Sequence, residues 1–246
     1  MGEGGEGVRS RFLVKLSGEY LGGDAGTGFC NDRLDTVCQE LQHAHAVSSS
    51  LAVVVGGGNF FRGGGELPSV IKRVTGDRIG MLATAMNALA LRDALRTQGM
   101  VAKALCAFPV GGILEHYDPH IAQEYLEQGV IVLLAGGTGN PFFTTDTTAC
   151  LRALELNANM VIKATRVNGV FDRDPEVDPN AVRYDHINYD FAIAHQLKVM
   201  DSTAFTLCRD HALPVRVIDL GIKGNLAQAV SGESVGTLVD VSGGSS

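Results

Sequence analysis

The chain has no surplus of positive charge: 20 Lys and Arg stand against 27 Asp and Glu in 246 residues, a formal net charge of −7. A general nucleic-acid or anionic-membrane partner selects a basic patch or stripe, so this balance argues against both. A small anion held by a few local cations stays open. Cysteine is sparse and unpatterned, with five residues at 30, 38, 106, 150 and 208, odd in number and without a CxxC pair. That excludes a disulfide framework and suits small core residues in a reducing compartment. No apolar run approaches the ~18 residues of a membrane span. The opening GEGGEG is acidic and glycine-rich, unlike the basic and then apolar start of a signal peptide. No linker rich in proline or serine divides the chain, and no internal repeat is visible. These absences lead us to expect a soluble, cytoplasmic protein with one domain over 8–241 and disordered tails at 1–7 and 242–246.

What is present is an alternation. RFLVKL (11–16), SLAVVV (50–55), MVAKAL (100–105), VIVLLA (130–135), NMVIKA (159–164) and PVRVID (214–219) are short, nearly continuous apolar runs. Such runs mark strands buried on both faces, hence a mostly parallel sheet. Between them lie stretches of helical spacing, such as Ile79, Leu82, Met86 and Leu89, or Cys150, Leu151 and Leu154. Strands alternating with helices predict an α/β fold, a three-layer αβα sandwich whose ligands bind at the carboxyl ends of the strands. Residues 182–211 read as further helical or irregular cover.

The strand ends carry the candidate chemistry. Lys15 and Lys163 each interrupt an apolar strand, and a buried ammonium needs an anionic partner. The alternative for Lys15 is an edge-strand lysine reaching solvent. GGGNFFRGGG (56–65) follows the second strand: glycines let backbone N–H groups approach an anion, and Arg62 offers a planar fork for phosphate oxygens. A flexible surface loop is the alternative. The stretch is neither a Walker A loop nor a GxGxxG fingerprint. Asp77 reads as an N-cap of the long helix, or as a carboxylate accepting ribose hydroxyls. AGGTGNPFFTTDTTACL (135–151) repeats the grammar of small residues and a Phe-Phe pair, then enters a helix start that favours an anion. Asp146 there either complements the helix dipole or holds Lys15, Arg62 and Lys163 in place. Asn168-Gly169 reads as a hairpin turn between Val167 and Val170. Asp172 with Asp174 is a weak metal pattern. Pro119, between His116 and His120, reads as a helix start rather than part of a zinc site, and no protein-held metal is expected.

KLSGE (15–19), GGGNFFRG (56–63), GDRIGMLATAMN (76–87), GTGNPFFTTD (137–146) and KATRVNGVF (163–171), in this order, resemble the bacterial type of uridylate kinase within the amino acid kinase family. The resemblance runs from about Arg11 to Val241. It implies the carbamate kinase-like form of the sandwich, with the N-terminal part mainly on the UMP side and about 141–241 mainly on the ATP side. It implies ATP-dependent, reversible phosphorylation of UMP to UDP in pyrimidine nucleotide biosynthesis, with Mg²⁺ accompanying ATP. Lys15, Leu16, Ser17 and Gly18 are then expected along the ATP phosphates, with Gly58 and Arg62 near the transferred group and Thr165, Phe171 and Asp174 at the adenosine. Gly57, Asp77, Thr138, Gly139, Asn140, Pro141, Phe142, Phe143, Thr144 and Thr145 are expected to bind UMP. Lys15, Arg62, Asp146 and Lys163 are the expected catalytic group. Gly23, Asp24, Ala25, Gly26, Thr27 and Gly28 resemble the segment of GTP-responsive members, implying GTP and UTP as effectors, and the family is usually a homohexamer. The rival readings are another kinase of this fold, acting on a carboxylate or carbamate, and a non-catalytic oxyanion-binding protein.

Overall fold

The computed structural model describes residues 10–61, 69–197 and 199–243. All six apolar runs form strands: β1 (Phe12–Leu16), β2 (Leu51–Val55), β3 (Ala102–Cys106), β5 (Ile131–Ala135), β6 (Met160–Thr165) and β10 (Val215–Asp219). With the short strands β4 (Glu115–His116), β9 (His186–Asn188) and β11 (Thr237–Asp240), they build one sheet in the order β4-β3-β5-β2-β1-β6-β10-β11-β9. β4 through β10 run parallel, while β11 turns antiparallel to β10 and is followed by β9.

Two helical layers cover the sheet. Side chains alternate along each strand with a period of two, so Val14, Leu16, Ile162 and Ile218 face one layer while Leu13, Val161 and Val217 face the other. The first layer holds the short α1 (Gly18–Leu21), with α2 (Asn31–Val47), α3 (Arg73–Thr97) and α8 (Asn225–Ser231). The second holds α4 (Pro119–Glu127), α5 (Thr145–Glu155), α6 (Tyr189–Ala194) and α7 (Ser202–Asp210). The α4 helix does start at Pro119, with Asp118 as its N-cap. Four cysteines are buried, as expected of core residues. Cys150 and Cys208 sit thiol to thiol, 2.9 Å apart, where α5 meets α7; hydrogen-bonded pairing with the Cys208 thiol and burial push the Cys150 thiol up.

Several local expectations need correction. Val167 and Val170 do not pair across Asn168-Gly169; β7 (Val170–Phe171) instead pairs with β8 (Arg183–Tyr184), a strand in a segment read as helical or irregular. Two-residue strands are too short to show a hydrophobic period. Only part of the apolar stripe of α3 faces the core: Leu82 and Met86 are 51% and 47% exposed, whereas Leu89 packs against the core and Ala83, Ala88, Leu91 and Leu95 are buried. Ser242 and Gly243, assigned to a disordered tail, are tied down: both donate backbone N–H groups to Asp240, and Asn188 donates to the Gly243 carbonyl.

Candidate functional site

Parallel pairing of β1 with β6 puts Lys15 directly beside Lys163, both on the face of Leu13 and Val161. Two neighbouring ammonium groups repel unless an anion stands between them. Asp146 supplies it, because α5 begins above this spot. Thr144 caps the helix, its hydroxyl oxygen accepting from the N–H groups of Asp146 (3.1 Å) and Thr147 (3.2 Å), which leaves Asp146 in the first turn. One carboxylate oxygen meets Lys15 Nζ at 2.9 Å and the other meets Lys163 Nζ at 2.7 Å. The three side chains are only 12%, 16% and 16% exposed for Lys15, Asp146 and Lys163. Burial by itself would raise the Asp146 carboxyl; the two ammonium groups reverse that and hold it below the ordinary carboxylate range. Burial is also the leading influence on Lys163, whose ammonium is held below its ordinary value despite Asp146. Lys163 additionally donates to the Val199 carbonyl. Two cations share one anion, so the centre keeps one positive charge in excess.

Sequence reading missed Asp201. It caps α7 by accepting from the Ala204 N–H at 3.0 Å, and its carboxylate also accepts from the hydroxyls of Thr144 and of Thr147, the latter at 2.9 and 3.0 Å. The cap of α7 thereby grips the cap of α5 and fixes the turn that presents Asp146. The available signal was an Asp immediately before the helical STAFTLCRD run.

Below the charged centre opens a cavity of about 610 Å³. Lys15, Ser17, Lys163, Thr165, Phe171 and Asp174 line it, together with His195, Gln196 and Leu197, which the sequence did not single out. Leu16 does not present its side chain there: it is buried in the core beneath α2 and α3, so only its backbone remains for a ligand. Gly18 and Gly58 are absent from the lining as well.

The remaining site residues gather at the carboxyl ends of β2 and β5. Gly57 is required by close approach: a Cβ there would lie 2.6 Å from the Gly80 carbonyl oxygen and 2.8 Å from Ala83 Cβ on α3. Gly57 thus serves packing against α3. Asn59 is buried between elements, donating to the Gly28 carbonyl and exchanging hydrogen bonds with Asn87, which donates to the Gly56 carbonyl. The 23–28 segment is therefore joined to the glycine loop. Arg62 and Gly63–Gly65 lie outside the described residues.

Asp77 is not the N-cap of α3, which starts four residues earlier at Arg73. It is a largely buried carboxylate held by Arg73 Nε at 2.8 and 3.0 Å, and it accepts from the Phe142 N–H at 2.8 Å. Phe142 adopts φ +73, a left-handed conformation costly for a bulky residue, and the residue is 63% exposed. Thr138 to Thr144 lie in the loop from β5 into α5, which Thr145 opens, with Thr138 and Asn140 closing a small turn on each other. Among the described residues no group of three or more His, Cys, Asp or Glu is arranged to hold a metal ion, and Asp172 and Asp174 instead serve local turns: Asp172 accepts from Val182 N–H and Arg173, Asp174 from Glu176 N–H.

The chain matches the family model described as "Amino acid kinase family" over residues 10–219. It is 46% identical to a uridylate kinase of Alcanivorax borkumensis over 94% of this chain and 92% of that protein. With a uridylate kinase of Klebsiella pneumoniae it shares 47% identity over 94% and 96% of the two chains. Among solved structures it resembles a UMP kinase from Bacillus anthracis with a TM-score of 0.91, 34% identity, and 95% and 97% of the two chains covered. A UMP kinase from Ureaplasma parvum follows with a TM-score of 0.85, 27% identity, and 94% and 99% covered. With the family model matching residues 10–219 and uridylate kinases 46% and 47% identical over 94% of it, the chain belongs to the amino acid kinase family and, within it, to the uridylate kinases.

Proposed function

We propose that the protein transfers the γ-phosphoryl group of ATP to UMP, giving UDP and ADP in a reversible step of pyrimidine nucleotide biosynthesis in the cytoplasm. The observation that carries the reading is the Lys15–Asp146–Lys163 centre, net positive and set between the large cavity and the loops after β2 and β5. ATP occupies the cavity, on the side formed mainly by residues 141–241, with its phosphates along Lys15 and Ser17 and its adenosine toward Thr165, Phe171 and Asp174. UMP lies against Gly57, Asp77 and Thr138–Thr145, on the side formed mainly by the N-terminal part.

The acceptor's phosphate has a second pKa near 6, as phosphomonoesters do, and is mostly dianionic at neutral pH. One of its oxygens attacks the γ-phosphorus while the bond to the β–γ bridging oxygen breaks, and no general base is needed. The task is to bring two polyanions together, and fixed positive charge does that. In the free protein Asp146 compensates both lysines; with nucleotides bound, the excess charge is turned to the transferring group. Arg62 adds a fork on the ATP side. Mg²⁺ accompanies the nucleotide, with Asp146 and Asp201 nearby carboxylates among the described residues. When bound, that ion neutralises phosphate charge.

The exposed Leu82 and Met86 stripe of α3 supports self-association, which we assign to a homohexamer. The Asn59 link from Gly28 to the glycine loop supports Gly23–Gly28 as the segment through which GTP or UTP acts. A panel of nucleoside monophosphates with Mg-ATP tests the central reading: UDP from UMP is expected, with CMP and dCMP poor acceptors. Equal turnover of CMP and UMP, or no UDP, overturns it.

A further inference from the structure

Arg152 has no part in the mechanism above, yet it is a charged side chain only 7% exposed in the second half of α5. Its guanidinium does three things at once. Nη1 donates to Glu155 Oε2 at 2.6 Å, Nη2 donates to the Gly137 carbonyl at 3.3 Å, and its flat face lies 4.0 Å from the centroid of the Tyr117 ring. The Tyr117 hydroxyl closes the cluster by donating to the same Glu155 oxygen at 2.7 Å.

Gly137 opens the loop that runs from β5 to α5. Gly136, Gly137 and Gly139 all have positive φ, at +79, +59 and +85, so the chain turns there without regular secondary structure to satisfy its backbone groups. The Gly139 N–H closes a turn onto the Gly136 carbonyl at 3.0 Å, and two further groups are held from outside. The Gly136 N–H donates to Thr84 Oγ1 of α3 at 2.7 Å, and the Gly137 carbonyl takes its bond from Arg152. The donor therefore comes from the helix whose first turn carries Asp146.

We propose that Arg152 is a positioning residue for UMP: it fastens the start of the acceptor loop to α5 and so sets the acceptor's place relative to the Asp146 centre. This rests on the reading that residues 138–145 bind UMP. The requirement is for a fork. A lysine supplies a single ammonium on a flexible stem and does not reach Glu155 and Gly137 together while keeping a planar face on Tyr117.

Arg152→Lys is the decisive variant because it keeps the buried charge and the Glu155 pair. It is expected to raise the KM for UMP roughly tenfold, with the KM for ATP and kcat within about twofold of wild type. Tyr117→Phe and Glu155→Gln shift the same constant in the same direction by less, and they carry the comparison if Arg152→Lys does not fold. Backbone hydrogen exchange across 136–141 in the ligand-free protein is the second readout, and faster exchange in Arg152→Lys is expected. An equal rise in both KM values, or unchanged exchange in a folded variant, overturns the proposal. Failure of the wild type to make UDP removes the activity reading alone, because the exchange arm still judges whether Arg152 holds the loop.

Discussion

The two halves of the site are built from different materials. The charged centre is made of side chains on adjacent strands and a capped helix, with Lys15, Asp146 and Lys163 locked in an ion-paired row. The loop half, around Gly57 and residues 136–143, is made of backbone in left-handed or crowded conformations, held by Asp77, Asn59, Thr84 and Arg152 from elsewhere. The difference teaches where each half is vulnerable. The first fails when charge balance is lost. The second fails when a few tenths of an ångström are lost.

The largest effect expected is from Asp146→Asn. It leaves two buried ammonium groups without their shared anion, which costs about 3–5 kcal/mol by the usual penalty for breaking a buried pair from one side. Denaturant unfolding measures this, and a loss under about 1 kcal/mol would show that water, not Asp146, compensates the lysines. The pH dependence has a definite sign. Because the folded Asp146 carboxyl is held low, its stabilisation is complete above the ordinary carboxylate pKa of about 3.9 and is lost as pH falls through the depressed folded value. Asp146→Asn therefore flattens the acid limb of the stability curve below about pH 4.

Lys15→Met comes next. Removing one preorganised cation is expected to lower kcat by about 10²–10³ while the protein stays folded. Unchanged turnover would separate the charged centre from the chemistry and leave it a structural feature.

Gly57→Ala tests the other half. The new Cβ meets a backbone carbonyl at 2.6 Å, which cannot swing away, so a loss of about 1–3 kcal/mol and a matching fall in Tm are expected. A neutral result would mean that the loop moves off α3 freely. The smallest effect is at Phe142. Replacing it by glycine relieves a left-handed phenylalanine but adds unfolded-state entropy, so the two terms of about 1 kcal/mol nearly cancel. A loss well above that in calorimetry would reveal packing by the exposed ring that outweighs its strain.

The same division explains how much could be read in advance. Lys15 and Lys163 were visible because a charge inside a continuous apolar strand is costly, and Asp146 because it opens a helix after a threonine pair. Those are local signals. Asp201 escaped because its helix start resembles any other, and its importance comes from two threonines on a different helix. Asp77 reads as a cap or as a ribose partner in the sequence because the helix start at Arg73 carries no capping side chain to announce it. The stripe of Ile79, Leu82, Met86 and Leu89 gave the right helix, but Leu82 and Met86 turn outward, since periodicity alone cannot tell a core stripe from an exposed one.

The amino-acid sequence by itself determined the six core strands, the parallel sheet with helices on both sides, and the residue types of the charged centre. Apolar runs and buried charges are penalised locally, wherever the chain goes. Only the tertiary structure decided which strands adjoin, and therefore that Lys15 and Lys163 share one carboxylate. It alone joined Asp77 to Phe142, Asn59 to Asn87 and Arg152 to Gly137. Those bonds link residues distant along the chain, and their energy depends on geometry that no local pattern encodes.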